Sequence, residues 1–123
     1  MERVRFIEHQ GKRVVLLDFS GLKDIPVGLV EIAKAKQFFA TQLPPDKSAL
    51  TLTDVSETVY DKTIIDAMKD LTAHNRPFVK AAAVVSQSAI HRAAVSVVAL
   101  FSRRKLETFD TREAALAWLV SQA

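Results

Sequence analysis

The sequence contains no cysteine and only three glycines among its 123 residues. The absence of thiols excludes cysteine nucleophiles, iron–sulfur clusters and thiolate zinc sites. With so few glycines there is no glycine-rich phosphate loop, and no Gly-x-Ser-x-Gly nucleophile motif occurs. The three histidines are isolated and share no periodicity. We therefore predict that the chain is not an enzyme and has no catalytic residue, resident metal or cofactor.

Long hydrophobic runs are also missing. The longest, residues 114–120, spans seven residues, whereas a helix needs about 20 apolar residues to cross a bilayer. The first residues alternate charged with apolar side chains and lack the apolar block of a signal peptide. These features predict a cytoplasmic protein without membrane insertion.

The sequence also has no long block of like charge. Its seventeen basic and fourteen acidic residues are interspersed and leave a net charge of +3. One basic cluster stands out, formed by Arg92, Arg103, Arg104 and Lys105. It lacks the interleaved aromatic residues on which bases stack, and cations are common at the carboxyl end of a helix. We predict no nucleic-acid binding.

The composition is that of an ordinary globular domain, with 49% apolar and 25% charged residues. The length lies near the usual size of one domain and suffices for a core without disulfides or a structural metal. No repeat, low-complexity tract or linker interrupts the chain. A single domain over residues 1–123 is expected.

The first half of the chain predicts a hairpin, a helix and a central strand. Val4 and Phe6 alternate with arginines, and a turn then leads to a more apolar strand at residues 13–19. A helix starts near Pro26 with Asp24 as its cap, and the proline pair at residues 44–45 ends it. Its expected buried stripe consists of Leu29, Ile32, Ala33, Phe39, Ala40 and Leu43.

The second half alternates strands and helices. Strands are predicted at residues 49–55, 78–85 and 106–109. A helix follows each strand. The first of these helices is capped by Thr58 or Asp61 and the second by Ser86 or Ser88, and residues 110–113 resemble a capping box for the third. The order β-β-α-β-α-β-α-β-α predicts an α/β fold with a mixed sheet of about five strands and about four helices, joined by right-handed crossovers after the hairpin.

Three apolar residues fall away from the expected buried stripes. Phe38 lies off the stripe of the first long helix. The helix after residue 88 carries one apolar face, to which we assign Ile90, Ala93, Ala94, Val97 and Phe101, and has Val95 and Ala99 on the opposite side. A helix that is apolar all round is buried or lies at an interface. We predict that Phe38, Val95 and Ala99 contact a protein partner or a second copy of the chain.

Acidic side chains follow the predicted strands. Asp18 and Asp54 each end a strand, Asp61 lies nearby, and Ser86 ends the next strand. Carboxylates that converge at the carboxyl edge of a sheet can hold Mg²⁺ or accept a phosphoryl group. Aspartates also end strands because they stabilise turns and helix starts. A ligand or metal edge and a purely structural role are both open.

Three segments carry a family resemblance. They are residues 13–18 (RVVLLD), 76–85 (RPFVKAAAVV) and 109–119 (FDTREAALAWL). With these segments in this order of elements, the chain resembles the SpoIIAA-like, STAS/SEC14-type small bacterial proteins over nearly its whole length. The resemblance implies a STAS-like fold and a regulatory or ligand-binding module.

In the anti-sigma factor antagonists that give this group its name, a serine in an Asp-Ser-Ser-Gly-like motif after the central strand is phosphorylated. The matching region here, residues 54–61, lacks that motif and reads DVSETVYD. Ser56 and Thr58 carry the hydroxyls near the corresponding position, so the resemblance implies one of them as the phosphoacceptor. Two added negative charges there, at a helix start, would change a docking surface.

Three functions follow from these observations. The first is a non-enzymatic regulatory or protein-binding module that resembles anti-sigma factor antagonists and self-associates. The second is binding of a small apolar molecule or lipid in a SEC14-like pocket between helices and sheet. The third is Mg²⁺-dependent phosphoryl chemistry at Asp18 and Asp54.

Overall fold

The computed structural model describes residues 2–102 and 105–123, with the backbone alone for Phe101. Arg103 and Arg104, two members of the basic cluster, lie outside the described residues. The element order is β1 (Val4–His9), β2 (Lys12–Asp18), α1 (Ile25–Gln42), β3 (Ala49–Asp54), α2 (Lys62–Asn75), a 3-10 turn (Arg76–Phe78), β4 (Val79–Val85), α3 (Ala89–Ser102), β5 (Glu107–Phe109) and α4 (Arg112–Ser121). The predicted order of five strands and four helices is confirmed.

The five strands form one sheet in the order β1-β2-β3-β4-β5. β1 and β2 are an antiparallel hairpin, and the remaining neighbours are parallel. At the hairpin turn both Gln10 (φ 51°) and Gly11 (φ 76°) have left-handed backbone, as a two-residue type I′ turn requires. β3 lies at the centre of the sheet.

Helices cover both faces of the sheet. Because every crossover from β2 onward steps one strand in the same direction, α1, α2 and α3 share one face. Their apolar side chains pack with Leu17 and Val84, whereas α4 packs on Leu16 and Leu52 of the opposite face. Ala83, fully buried beneath α4, shows how the small residues of β4 allow a helix to approach closely.

Side-chain caps fix where the helices begin. Asp24 accepts a hydrogen bond from the third residue of α1, and Asp61 does the same for α2. Thr111 caps α4 in the same way, and the hydroxyl of Ser88 accepts the amide of His91 in α3 at 3.4 Å. Of the alternatives that the sequence left open, Asp61 rather than Thr58 caps α2.

The predicted orientation of α1 is partly wrong. Ala33 and Ala40 are exposed, whereas Ala35 is fully buried. Phe38 is half-buried, and its ring lies 5.1 Å from that of Phe6. The reason is that Phe38, at the border of the buried stripe, covers the face of the edge strand β1.

The predicted orientation of α3 is also wrong. Val95 is 6% exposed and lies in the core with α1 and α2, whereas Ile90 is 79% exposed and Leu100 is 83% exposed. Val95 is therefore not part of an outer interface, and Ala99 is half-buried. Because both faces of α3 are apolar, hydrophobic periodicity could not decide which face packs inward.

Candidate functional site

The carboxyl ends of the strands meet above the amino end of α4. Register pairs Asp18 with Asp54, Asp54 with Val85, and Val85 with Phe109. These four residues form one row on the face that α4 covers. The chain leaves β5 at the end of this row and starts α4 three residues later at Arg112. The fold thus brings one arginine to the two strand-ending aspartates.

Arg112 joins the two carboxylates. Its Nε donates to Asp54 Oδ2 at 2.7 Å, and its Nη2 lies 3.1 Å from Asp18 Oδ1. Ser20 donates its amide and its hydroxyl to the same Asp18 oxygen, at 3.2 and 2.5 Å. The Ser56 amide donates to Asp54 Oδ1 at 2.9 Å. We call Asp18, Asp54 and Arg112 the edge triad.

The edge triad is partly buried, and its contacts favour the charged forms of Asp18 and Arg112. The side chain of Asp54 is 7% exposed and that of Arg112 is 37% exposed. Burial alone would raise the pKa of Asp18, but the hydrogen bonds from Ser20 and the charge of Arg112 outweigh it and lower that pKa. Burial likewise opposes the charge of Arg112, but its bonds to Asp54 and Asp18 raise the pKa of the guanidinium.

The other predicted edge residues have separate roles. The Asp61 carboxylate accepts the amide of Ile64 at 2.8 Å as the cap of α2. Ser86 is fully buried, and its Oγ has no hydrogen-bond partner among the described residues. Within residues 2–102 and 105–123, no three His, Asp or Glu side chains are grouped as metal ligands. The structure therefore unites Asp18 with Asp54 and leaves Asp61 and Ser86 outside the edge triad.

Sequence reasoning missed Arg112 as a member of the site. It assigned residues 110–113 to the helix cap alone, and Thr111 does perform that role by accepting the Ala114 amide at 3.1 Å. The available signal was two carboxylates at one parallel edge and an arginine at the first position of the helix that follows the last strand. Such carboxylates need a cation when the edge is covered.

The two candidate phosphoacceptors differ in access. Thr58 is buried, and its hydroxyl donates to the Phe19 carbonyl at 2.5 Å. Ser56 is half-buried, and its backbone is hydrogen-bonded: its amide donates to Asp54, and its carbonyl accepts the Gly21 amide at 2.8 Å. The loop can present the Ser56 hydroxyl without breaking a core contact, which it cannot do for Thr58.

A cavity of about 40 Å³ lies between the helices and the sheet. Apolar residues of the core and a few polar ones line it, among them Thr51, Thr53, Tyr60, Thr72 and Asn75. This volume accommodates about three water molecules, whereas small-molecule pockets are typically about 300–1,000 Å³. The Tyr60 hydroxyl is buried and has no partner within residues 2–102 and 105–123, and burial raises its pKa.

The outer face of α3 is apolar and exposed. Ile90, Ala93, Val97 and Leu100 recur there at intervals of three and four residues, and we call them the α3 outer stripe. Val97 is 50% exposed, less than Ile90 or Leu100. A helix surface of this kind marks an interaction site more often than scattered single residues do.

A family model described as SpoIIAA-like matches residues 5–120. The chain belongs to the SpoIIAA-like family. The match covers both the edge triad and α3, and the sheet of one antiparallel pair and three parallel pairs is consistent with the STAS-like fold that the sequence resemblance implied. Comparison of this SpoIIAA-like chain with curated proteins and with solved structures found no match. No helix within the described residues is long and apolar enough to span a bilayer.

Proposed function

We propose that this SpoIIAA-like domain is a regulatory protein-binding module that acts in the cytoplasm through surface contacts and not through chemistry at the sheet edge. Its family is named for anti-sigma factor antagonists, which are regulatory. The observation that carries the proposal is the position of Arg112, whose guanidinium contacts both Asp18 and Asp54. The two carboxylates that resemble a catalytic pair are engaged in holding α4 to the sheet.

The edge triad argues against Mg²⁺-dependent phosphoryl chemistry. Mg²⁺ requires oxygen ligands in a nearly octahedral arrangement, and Arg112 occupies one oxygen of each carboxylate. A metal or a phosphoryl group at Asp54 would have to displace the guanidinium and leave it partly buried without a partner. Binding at this edge would therefore cost more free energy than binding at a carboxylate pair that has no arginine between its members.

The size of the internal cavity argues against a resident lipid. At about 40 Å³ it is several times smaller than a pocket for a small organic molecule. Binding there would require α3 or the loop that carries Tyr60 to move away from the sheet. We therefore rank protein binding ahead of small-molecule binding.

Regulation, in this proposal, acts at Ser56. Its half-buried side chain lies on the loop between β3 and α2, two residues after Asp54 of the edge triad. A phosphate there would add about two negative charges beside a carboxylate and change the surface that a partner meets. Thr58 is unsuited to this role because its hydroxyl is held by Phe19 within the fold.

The experiment compares the wild-type protein with Ser56→Glu and Ser56→Ala in the cells that express it. Quantitative mass spectrometry after crosslinking would measure the proteins attached to each variant. The proposal expects a defined partner that is present with wild type and Ser56→Ala and reduced about tenfold or more with Ser56→Glu. Covalent phosphorylation of Asp54 by acetyl phosphate and Mg²⁺, with no partner in any sample, would contradict it.

A further inference from the structure

Helix α3 has two apolar faces, of which the fold buries one. Val95 and Val98 are about 5% exposed and pack inward. The α3 outer stripe faces away from the core, with its two end residues more than three-quarters exposed. A helix that is apolar on both sides is normally covered on both sides. The outer stripe thus indicates a surface that is covered when the protein functions.

The spacing of the α3 outer stripe is that of a coiled-coil seam. Positions 90, 93, 97 and 100 alternate steps of three and four, which is the a/d pattern over two heptads and fills the 14 residues of α3. Three of the residues that flank the seam are small, namely Ala89, Ala94 and Ser96, and Phe101 flanks its carboxyl end. A strict a/d seam is narrow and fits a single partner helix.

The stripe is also symmetric about its midpoint at residue 95. When two copies of α3 lie antiparallel, Ile90 of one meets Leu100 of the other, and Ala93 meets Val97. Both large, exposed side chains then lie at the ends, and the small residues lie close to the two-fold axis. A surface that matches itself after a half-turn is what an isologous dimer requires.

Charge on this helix favours an identical partner. Arg92 is the only Lys, Arg, Asp or Glu in residues 86–102, and its guanidinium is paired with Asp110 and bonded to the Ser86 carbonyl. The four residues of the α3 outer stripe are themselves uncharged, and the basic residues 103–105 follow the last of them in the sequence. Two copies of the stripe would meet without like charges at the contact.

We propose that the α3 outer stripe binds the same stripe of a second copy in an antiparallel, two-fold arrangement. The inference rests on the proposed function and supplies one of its contacts. Because α3 is about 21 Å long and one helix face is about 10 Å across, the contact covers on the order of 200 Å² per copy. Stable interfaces bury about 800 Å² per partner, so the dimer dissociates at low concentration.

Sedimentation velocity from about 10 µM to about 1 mM measures this equilibrium. The average mass should rise from 13.6 kDa toward twice that value. Leu100→Glu should weaken dimerisation at least about tenfold, because in the pair the new carboxylate would be placed against Ile90 of the other copy. Val30→Glu is the matched control, since Val30 is exposed on α1 and should leave the equilibrium unchanged.

The salt dependence of binding distinguishes apolar dimerisation from binding to an anionic surface. Each copy carries a net charge of +3, so added salt should strengthen an apolar pairing slightly and should weaken binding to an anionic surface. Binding to phosphatidylglycerol vesicles that Leu100→Glu abolishes, with a monomer at every protein concentration, would assign the stripe to a membrane and overturn the pairing.

Disulfide crosslinking tests the antiparallel arrangement directly, because the chain contains no native cysteine. In this arrangement Ser96 lies close to the axis and near its copy, whereas the two copies of Ile90 lie at opposite ends of the seam. Ser96→Cys should form a dimer under mild oxidation and Ile90→Cys should not. Crosslinking through Ile90→Cys alone would indicate parallel helices and overturn the two-fold model.

Failure of the pairing can be told apart from failure of the proposed function. A monomer at all concentrations, without crosslinking at either position, overturns the α3 dimer. The response of partner binding to Ser56→Glu would be unaffected by that result, because it is measured on a different element of the domain.

Discussion

The sheet edge and the outer face of α3 differ in how completely the chain satisfies its own groups. At the edge, Asp18 receives three donated hydrogen bonds or ion contacts from Ser20 and Arg112, and Asp54 receives bonds from Ser56 and Arg112. On α3, the side chains of Ile90 and Leu100 are more than three-quarters exposed. The first region has its partners within the fold, and the second lacks one.

This difference shows why polar residues at strand ends are poor evidence of catalysis. A pair of carboxylates in a sequence suggests a metal or catalytic site, but a cation from a later helix can pair with both and give them a structural role. An apolar helix draws less attention because apolar residues are expected to be buried. In this SpoIIAA-like domain the less conspicuous region is the one available for recognition.

The largest expected effect concerns Thr58. Replacing Thr58 with Glu places a charge in a buried position and removes the hydroxyl that bonds Phe19, so the free energy of unfolding should fall by about 4 kcal/mol or more. Urea denaturation measures the loss. Ser56→Glu is the control and should cost less than about 1 kcal/mol. Equal losses for the two variants would mean that Thr58 is not more deeply buried than Ser56.

The next effect is at Arg112. Arg112→Ala leaves the buried carboxylate of Asp54 without its cation, and after allowance for the partial exposure of the arginine we expect a loss of about 2 kcal/mol. Arg92→Ala breaks the exposed pair with Asp110 and should cost under about 1 kcal/mol. A loss at Arg112 no greater than that at Arg92 would show that the edge triad does not hold α4.

A smaller effect is the dependence of stability on pH. The pKa of Asp18 is lower in the folded protein than its ordinary value of 3.8, so the unfolded chain binds more protons in the acid range. Its contribution is present above about pH 4 and is lost as the pH falls through the folded pKa. Asp18→Asn should flatten the fall in unfolding free energy between about pH 5 and pH 2. An unchanged slope would refute this assignment, and Asp110→Asn, at an exposed carboxylate, is the comparison.

The smallest effect on stability is expected on the α3 outer stripe. Leu100→Asp should change the free energy of unfolding of the monomer by less than about 0.5 kcal/mol, since the side chain is already in solvent. Val98→Asp, on the buried side of the same helix, should cost about 3 kcal/mol or more. Measurements at low micromolar concentration keep dimerisation from contributing. Similar losses for the two would mean that the two faces of α3 are not distinct.

The sequence predicted the layout of this domain well and its contacts less well. The alternation of Leu50 and Leu52 with threonines predicted a strand at residues 49–55, because side chains alternate between the two faces of a strand. The resemblance carried by residues 109–119 correctly predicted the family that the later comparison showed. Both signals are local in the chain, and local patterns can be read without coordinates.

The remaining features depend on contacts between distant residues. Arg112 meets Asp54 only because β5 ends beside β4 and α4 turns back beneath the edge. Thr58 is locked by a carbonyl 39 positions earlier in the chain. Helix α3 could be oriented only by the packing of Val95, since its apolar residues occupy both faces. No period or spacing encodes these contacts.

The most direct test of the division between the two regions is an NMR dilution series of the ¹⁵N-labelled protein from about 1 mM to about 20 µM. We predict that amide shifts of Ile90, Val97, Leu100 and their neighbours on α3 change with concentration, and that those of Asp18, Asp54 and Arg112 remain constant. Concentration-dependent shifts at the edge triad, with none along α3, would contradict the account.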